Sequence, residues 1–230
     1  MAQLLRRWTG FSAGRARFID ALKRYLAQPI ARSTSSTAAD AQSLAATLRR
    51  GDVLLTEGIT LLAALVKRLT GSKWSHVSMY VGPLEEGADP RCVVEADIVA
   101  GVRAVPLSEF RGMRVRVLRP THMHDADRTR LADWVIGRIG AEYDLAHAWA
   151  LARRLLKLPL ASRLPAASNS RHGVGRFICS SLLAQAFMLV GYTIAPTQLG
   201  AEDARATDHG YVTPRDFERA SIFEVVSRDP

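Results

Sequence analysis

Two stretches decide how this chain is read: Trp74-Ser75-His76-Val77-Ser78-Met79-Tyr80-Val81-Gly82 and Phe177-Ile178-Cys179-Ser180-Ser181-Leu182-Leu183-Ala184-Gln185-Ala186-Phe187. The first alternates, with His76, Ser78 and Tyr80 on one side and Val77, Met79 and Val81 on the other, which is the period of a half-buried strand. In the second, Cys179 stands just ahead of Leu182, Leu183, Ala186, Phe187 and Val190, whose spacing makes one buried face of a helix. A thiol at a helix N-terminus meets unpaired backbone N–H groups and the positive end of the macrodipole, and both favour the thiolate. A strand-borne imidazole close by would favour it further and act as its base. Cys179 and His76 are therefore the candidate nucleophile and base of a cysteine hydrolase or acyltransferase.

Downstream of His76, the segment from Gly82 to Pro90 is rich in Gly and Pro and reads as a turn, followed by a second strand-like run, Cys92-Val93-Val94-Glu95-Ala96. If the two runs pair antiparallel around Glu85 and Glu86, Glu95 falls opposite His76. Glu95 would then accept a hydrogen bond from one ring nitrogen and set the tautomer at the other, the part played by the third member of a triad. The backbone N–H of Cys179 is a candidate oxyanion donor, and a second donor has no readable signature. Cys92 has the opposite strand parity and reads as structural. Two cysteines make no disulfide framework, and a Cys92–Cys179 bridge would consume the nucleophile, so reduced thiols and a cytoplasmic setting are expected.

Several further segments now fall into an order: Arg50-Gly51-Asp52-Val53-Leu54-Leu55, Trp74-Ser75-His76-Val77, Val94-Glu95-Ala96, Gly140-Ala141-Glu142-Tyr143-Asp144, Ile178-Cys179-Ser180-Ser181-Leu182 and Val212-Thr213-Pro214-Arg215-Asp216-Phe217. The set resembles the permuted papain-fold hydrolases of the NlpC and YiiX type, with the lecithin retinol acyltransferase group as a more distant likeness. The likeness runs over roughly residues 49 to 220 and rests on the ordered set more than on any one motif. It implies the permuted order histidine, polar residue, cysteine, here His76, Glu95 and Cys179. It also implies an α+β, circularly permuted papain-like fold with an antiparallel sheet against the helix of the nucleophile, and, for the bacterial-type members, amide cleavage.

The elements expected around that core are a first strand from near Asp52, a helix from about Ile59 to Leu69 ended by Thr70 and Gly71, and strands at Val102 to Val105 and Val115 to Leu118. A helix carrying Leu131, Trp134, Val135 and Ile139 follows, with Thr121 or Asp125 as its cap. Asp52 reads as a turn or backbone-bonding residue. His122 and His124 precede Asp125 and Asp127 but have no companion ligands at metal spacing, so no metal and no cofactor are expected.

The 230 residues are 48% hydrophobic, enough for a full core, and no apolar run reaches the roughly 18 residues of a membrane span. Arg6 and Arg7 precede no continuous apolar segment, so a secretory signal is not expected. The net charge of +9 is uneven: nine Lys and Arg against Asp20 and Asp40 lie in the first fifty residues. Residues 1–40 read as a basic amphipathic arm and linker, and 41–230 as the catalytic domain. In the arm, Phe18, Ile19, Leu22, Tyr25 and Leu26 form an apolar stripe beside Arg15, Lys23 and Arg24, and Leu4, Leu5 and Trp8 precede it. This helix either lies on an anionic membrane, making the protein peripheral, or docks on the body. Residues 145–172 read as an insertion that forms a lid, a substrate wall or a packed helical excursion. No aromatic stacking pattern or recognised fold accompanies the arginines, which argues against nucleic acid as a partner.

These readings converge on a cysteine hydrolase that cleaves a small amide or peptide, a cell-wall peptide or an N-acyl amino compound, through a thioester. A lipid-directed acyltransferase or lipase would use the same Cys179, His76 and Glu95. A non-catalytic binding module on the same fold is the third alternative.

Overall fold

A computed structural model describes residues 17–30, 41–156, 176–196 and 211–227. A helix at 17–26 (α1) precedes the body. The body runs α2 (Ala41–Thr47), β1 (Val53–Thr56), α3 (Leu61–Thr70), β2 (His76–Tyr80), β3 (Arg91–Asp97), β4 (Gly101–Pro106), a 3-10 turn (Leu107–Phe110) and β5 (Val115–Pro120). It continues through α4 (Asp125–Ile136), β6 (Glu142–Tyr143), α5 (Leu145–Leu155), β7 (Arg176–Phe177), α6 (Cys179–Leu189), α7 (Pro214–Arg219) and β8 (Phe223–Ser227).

Six strands form an antiparallel sheet in the order β4-β3-β2-β1-β5-β8, and β6 and β7 make a separate parallel pair. Alternation along the strands sorts the core into two layers. Val53, Leu55, Val77, Met79 and Val94 turn towards Leu182, Leu183 and Phe187 of α6 and Leu131 of α4. On the other face Leu54, Val93, Val105 and Val117 meet Leu44 of α2, Leu48 just after it and Phe110 of the 3-10 turn. The expected antiparallel sheet against the cysteine-bearing helix is present. Each apolar side chain completely buried in these layers contributes about 1.5–3 kcal/mol relative to exposure.

Local signals decide several boundaries. Thr60 caps α3 by accepting from the Ala63 N–H at 3.1 Å, and Gly71, in the left-handed conformation at φ 61°, ends it as anticipated. The helix expected around Leu131 begins at Asp125 and stops at Ile136. Neither expected cap acts: His124 holds the N-cap position without a side-chain bond, and the Thr121 hydroxyl donates instead to the Ile222 carbonyl. Asp52 is more than a turn former. It accepts from the Arg49 N–H at 2.8 Å and from two Arg119 nitrogens at 3.0 and 2.6 Å, a completely buried carboxylate tied to a distant strand.

The register of the His76 hairpin differs from expectation by two residues. Met79 pairs with Val94 and Tyr80 with Val93, so the ladder runs towards Ser78 beside Glu95 and the turn centres one residue later than assumed. Strand parity is unchanged by a two-residue shift, so Glu95 stays on the His76 face and reaches it diagonally.

The arm divides. Residues 1–16 and the linker at 31–40 lie outside the described residues, as do residues 157–172 of the expected insertion. The 17–30 segment leans on the body: Pro29 bridges Thr60, the Ile30 N–H donates to Ile59 and the Leu61 N–H donates to Gln28. The stripe read from the sequence splits accordingly, with Ile19 and Leu26 partly buried and Phe18, Leu22 and Tyr25 exposed.

Candidate active site

His76 opens β2 and Cys179 opens α6, so two element termini meet. Ser181 accepts the Ile178 N–H at 3.1 Å in the first turn of α6, holding the helix start. The Val77 and Ser180 N–H groups hydrogen bond the Cys179 sulfur, and His76 adds a side-chain bond. Glu95 Oε2 lies 2.8 Å from His76 Nε2, which leaves Nδ1 for the sulfur. The three residues singled out from the sequence are thus one connected set.

Its electrostatics are those of an ion pair. Burial pushes the Cys179 thiol up, but the imidazolium and the hydrogen bonds from His76, Val77 and Ser180 outweigh it, so the pKa is lowered. Burial pulls His76 down, while the thiolate and the Glu95 carboxylate prevail and hold it well above its usual 6.5. Glu95 is likewise opposed by burial, yet His76 and Arg103 bring it to about 2. Cys92 is buried and unpaired in the other core layer, and burial raises its pKa.

Two neighbours of this set were given no role in the sequence reading. Arg103, directly across the ladder from Glu95, donates to Glu95 Oε1 from Nε at 3.0 Å and Nη2 at 2.7 Å, and to Glu109 at 3.0 Å. One carboxylate oxygen is thereby occupied by the guanidinium and the other by His76. The Arg103 parity on β4 was available as a signal, but only the β3–β4 register makes it specific. Tyr143 is the second. The β6–β7 pair sets Tyr143 beside Phe177, two residues before Cys179, and the phenol lines the site. Burial, then the charges of Cys179, Asp97 and Asp144, raise its pKa, so it stays a neutral O–H donor.

The residues open onto a cleft of about 340 Å³, within the range of small-molecule sites. Its lining includes an aliphatic set, Leu65, Val66 and Leu69 of α3 and Leu151, Ala152 and Leu155 of α5, together with Glu95, Asp97, Arg103 and Glu109. Leu155 and its neighbours fall in the segment read from the sequence as an insertion, and among the described residues α5 lines the cleft. Among the described residues no three His, Cys, Asp or Glu side chains are grouped to hold a metal ion. His122 and His124 are exposed and away from the cleft.

No curated protein matches the sequence. Residues 47–154 match a family described as the permuted papain-like amidase enzymes, YaeF/YiiX, C92 family; the matched stretch holds His76 and Glu95 and stops short of Cys179. Among solved structures, the metalloprotein yiiX from Escherichia coli O157:H7 aligns with a TM-score of 0.54 at 16% identity, over 79% of this chain and 98% of that one. At that identity the likeness is one of fold. The order of the elements and the shared architecture agree with the family match, and over residues 47–154 the chain is similar to the YaeF/YiiX family of permuted papain-like amidase enzymes.

Proposed function

We propose that the protein is a cysteine amidase acting on an amide whose acyl part is apolar. The observation that carries this reading is the connected set Glu95–His76–Cys179, with the thiol pKa lowered and the imidazole pKa raised. The Cys179 thiolate attacks the amide carbonyl, and the tetrahedral oxyanion meets the free N–H of the first turn of α6 and the Tyr143 phenol. His76 gives its proton to the leaving amine as the C–N bond breaks, leaving a thioester on the sulfur. It then takes a proton from water, which attacks the thioester and releases the carboxylic acid and the thiolate. Glu95 keeps the ring oriented throughout. Of the two amide classes considered, the N-acyl amino compound suits the aliphatic wall of α3 and α5 better than a cell-wall peptide, whose polar stem would leave that wall unpaired.

The same wall favours a second reading, acyl transfer from a lipid ester, because the chemistry up to the thioester is shared. Both are tested by rapid acid quench of the protein with an N-acyl amine and, separately, an acyl ester, followed by mass analysis of the Cys179 peptide. An acyl adduct on Cys179, absent in Cys179→Ser, is expected. Release as free acid identifies the amidase, and transfer to an added amine or alcohol identifies the acyltransferase. An adduct on neither substrate, with full turnover kept in Cys179→Ser, overturns the assignment.

A further inference from the structure

The helices around the cleft bury one apolar stripe each and carry a second one outward. In α5, Ala148, Leu151, Ala152 and Leu155 line the cleft at the i, i+3, i+4, i+7 spacing of a single face. Trp149 and Leu156 fall on the adjoining face and are 61% and 51% exposed. In α1, Ile19 and Leu26 turn inward and Ala27 follows into the cleft lining, whereas Phe18, Leu22 and Tyr25, at i, i+4 and i+7, point out, Phe18 at 69%. Isolated exposed apolar residues are ordinary on a protein surface. Two aromatic and leucine stripes, one on the helix α5 that lines an apolar cleft and one on α1, whose following residue Ala27 lines it too, are not isolated.

Charge is gathered at the same place. The sequences of α1, α3 and α5 hold seven Lys or Arg and a single acid, Asp20, so these three helices account for +6 of the chain's net +9. Arg17 and Arg24 are exposed on α1, Arg68 on α3, and in sequence Arg153 of α5 lies between Trp149 and Leu156, the residue just past the helix end. Amphipathic helices with Phe, Trp and Leu outward and flanking Lys and Arg bury their apolar side chains about 5–10 Å into a headgroup layer, while the cations meet anionic lipid.

We propose that α1 and α5 form a docking surface for an anionic lipid bilayer, with the cleft mouth turned towards it. A bilayer supplies both complements, negative headgroups for the arginines and an apolar layer for the side chains, over the whole rim at once. An acidic protein would have to match each separately. With the amidase reading, on which only its use in catalysis rests, the docked mouth admits an amphiphilic amide from the membrane, the acyl chain passing from the bilayer to the aliphatic wall without crossing water.

The test uses the full chain as Cys179→Ala, so that binding is read without turnover. Cosedimentation with vesicles of phosphatidylcholine and phosphatidylglycerol is compared with vesicles of phosphatidylcholine alone, in low and high salt. Binding to the anionic vesicles, weakened by salt, is expected, because the Coulomb attraction is screened. Phe18→Ser with Tyr25→Ser, and separately Trp149→Ser with Leu156→Ser, should each weaken it by about tenfold or more, since each pair withdraws two large side chains from the apolar layer. Quenching of Trp149 fluorescence by brominated acyl chains, lost in Trp149→Phe, should accompany it. In the Cys179 background the same substitutions should leave hydrolysis of a small soluble amide unchanged, which verifies the fold. Absence of vesicle binding, equal binding to neutral vesicles, or undiminished binding in either apolar pair overturns the proposal, as does capture of an acidic protein in place of lipid. Failure to hydrolyse the soluble amide, by contrast, falls on the amidase reading and leaves the vesicle result standing.

Discussion

Cys179 and Cys92 are the same residue type in opposite circumstances, one with a lowered pKa against His76 and two N–H donors, the other buried with a raised pKa in an apolar layer. Iodoacetamide should therefore alkylate Cys179 near neutral pH well before Cys92 in the folded protein; equal rates would remove the thiolate from the mechanism. The pH dependence follows from the two signs. A lowered Cys179 pKa keeps the thiolate as pH falls through the ordinary thiol range, and activity is lost only when pH drops through the lowered value. A raised His76 pKa keeps the imidazolium above 6.5, and activity is lost as pH rises through the raised value. The expected kcat/KM profile is a bell with its plateau across neutral pH, its limbs belonging to the pair. Glu95→Gln can satisfy His76 or Arg103 with its one carbonyl, not both, and presents an amide N–H₂ to the other donor. Turnover should fall roughly 10²-fold or more, with the alkaline limb moving to lower pH as the imidazolium loses its counter-charge. An unmoved limb would show that Glu95 does not act on the ring. Glu95 also carries a stability signature. Its folded pKa of about 2 lies below the ordinary carboxylate value, so its contribution is present above about 4.3 and lost as pH falls from there towards 2, which acid titration of unfolding would detect.

Short elements position the donor that long ones do not. The two residue pairs of β6 and β7 set Tyr143 beside Phe177, and that pairing hangs on β4, where the Val102 N–H donates to Ala141 and the Gly140 N–H donates to Val102, both at 2.8 Å. Gly101 makes the approach feasible. At φ 77° it holds a conformation that L side chains avoid, and a Cβ there would sit 2.3 Å from the Ala141 carbonyl oxygen. Gly101→Ala should push the 140–143 segment outward, cost roughly 1–3 kcal/mol of stability and lower kcat, while Cys179 alkylation by a small reagent persists. Tyr143→Phe isolates the hydroxyl: with no loss in unfolding free energy, kcat should fall roughly 10²-fold if the phenol serves the oxyanion. Full activity in Tyr143→Phe would assign that ring to the cleft wall alone.

At the scale of the molecule, the sheet is bound to its flanks by a buried charge set. Asp52, at the entry to β1, receives Arg119 of β5 through two bonds and has Arg128 of α4 at 3.8 Å, while Arg119 also donates to the Thr47 carbonyl that ends α2. Strand, helix and loop from four parts of the chain converge on one carboxylate. Asp52→Asn should cost roughly 3–5 kcal/mol, because it leaves guanidinium charge buried without its counter-ion, and urea unfolding should show a lowered midpoint. A change of less than about 1 kcal/mol would mean that water compensates the arginines. Since Asp52 is outside the cleft lining, the folded fraction should keep its kcat.

Period and local chemistry, both readable along the chain, set one group of features. Alternation placed Val77 and Met79 in the core and His76 on the other face, helical spacing put Cys179 at the start of α6, and Gly71 ended α3 as its freedom at positive φ requires. The ordered set of motifs pointed to a resemblance to the YiiX type before any contact was known, and residues 47–154 match that family. Tertiary structure alone decided what depends on where distant segments meet. The His76 hairpin adopts a register two residues from the one assumed, because a loop rich in Gly and Pro does not specify its own centre, and Glu95 reaches His76 only because a two-residue shift preserves the face. Arg103, Tyr143 and the Asp52–Arg119 pair depend on separations from 8 to 67 positions, across which residue type carries no distance information. The amphipathic arm was legible as apolar and basic, but which of its apolar residues are half-buried, Ile19 and Leu26, and which stay exposed, Phe18, Leu22 and Tyr25, depended on the tertiary structure.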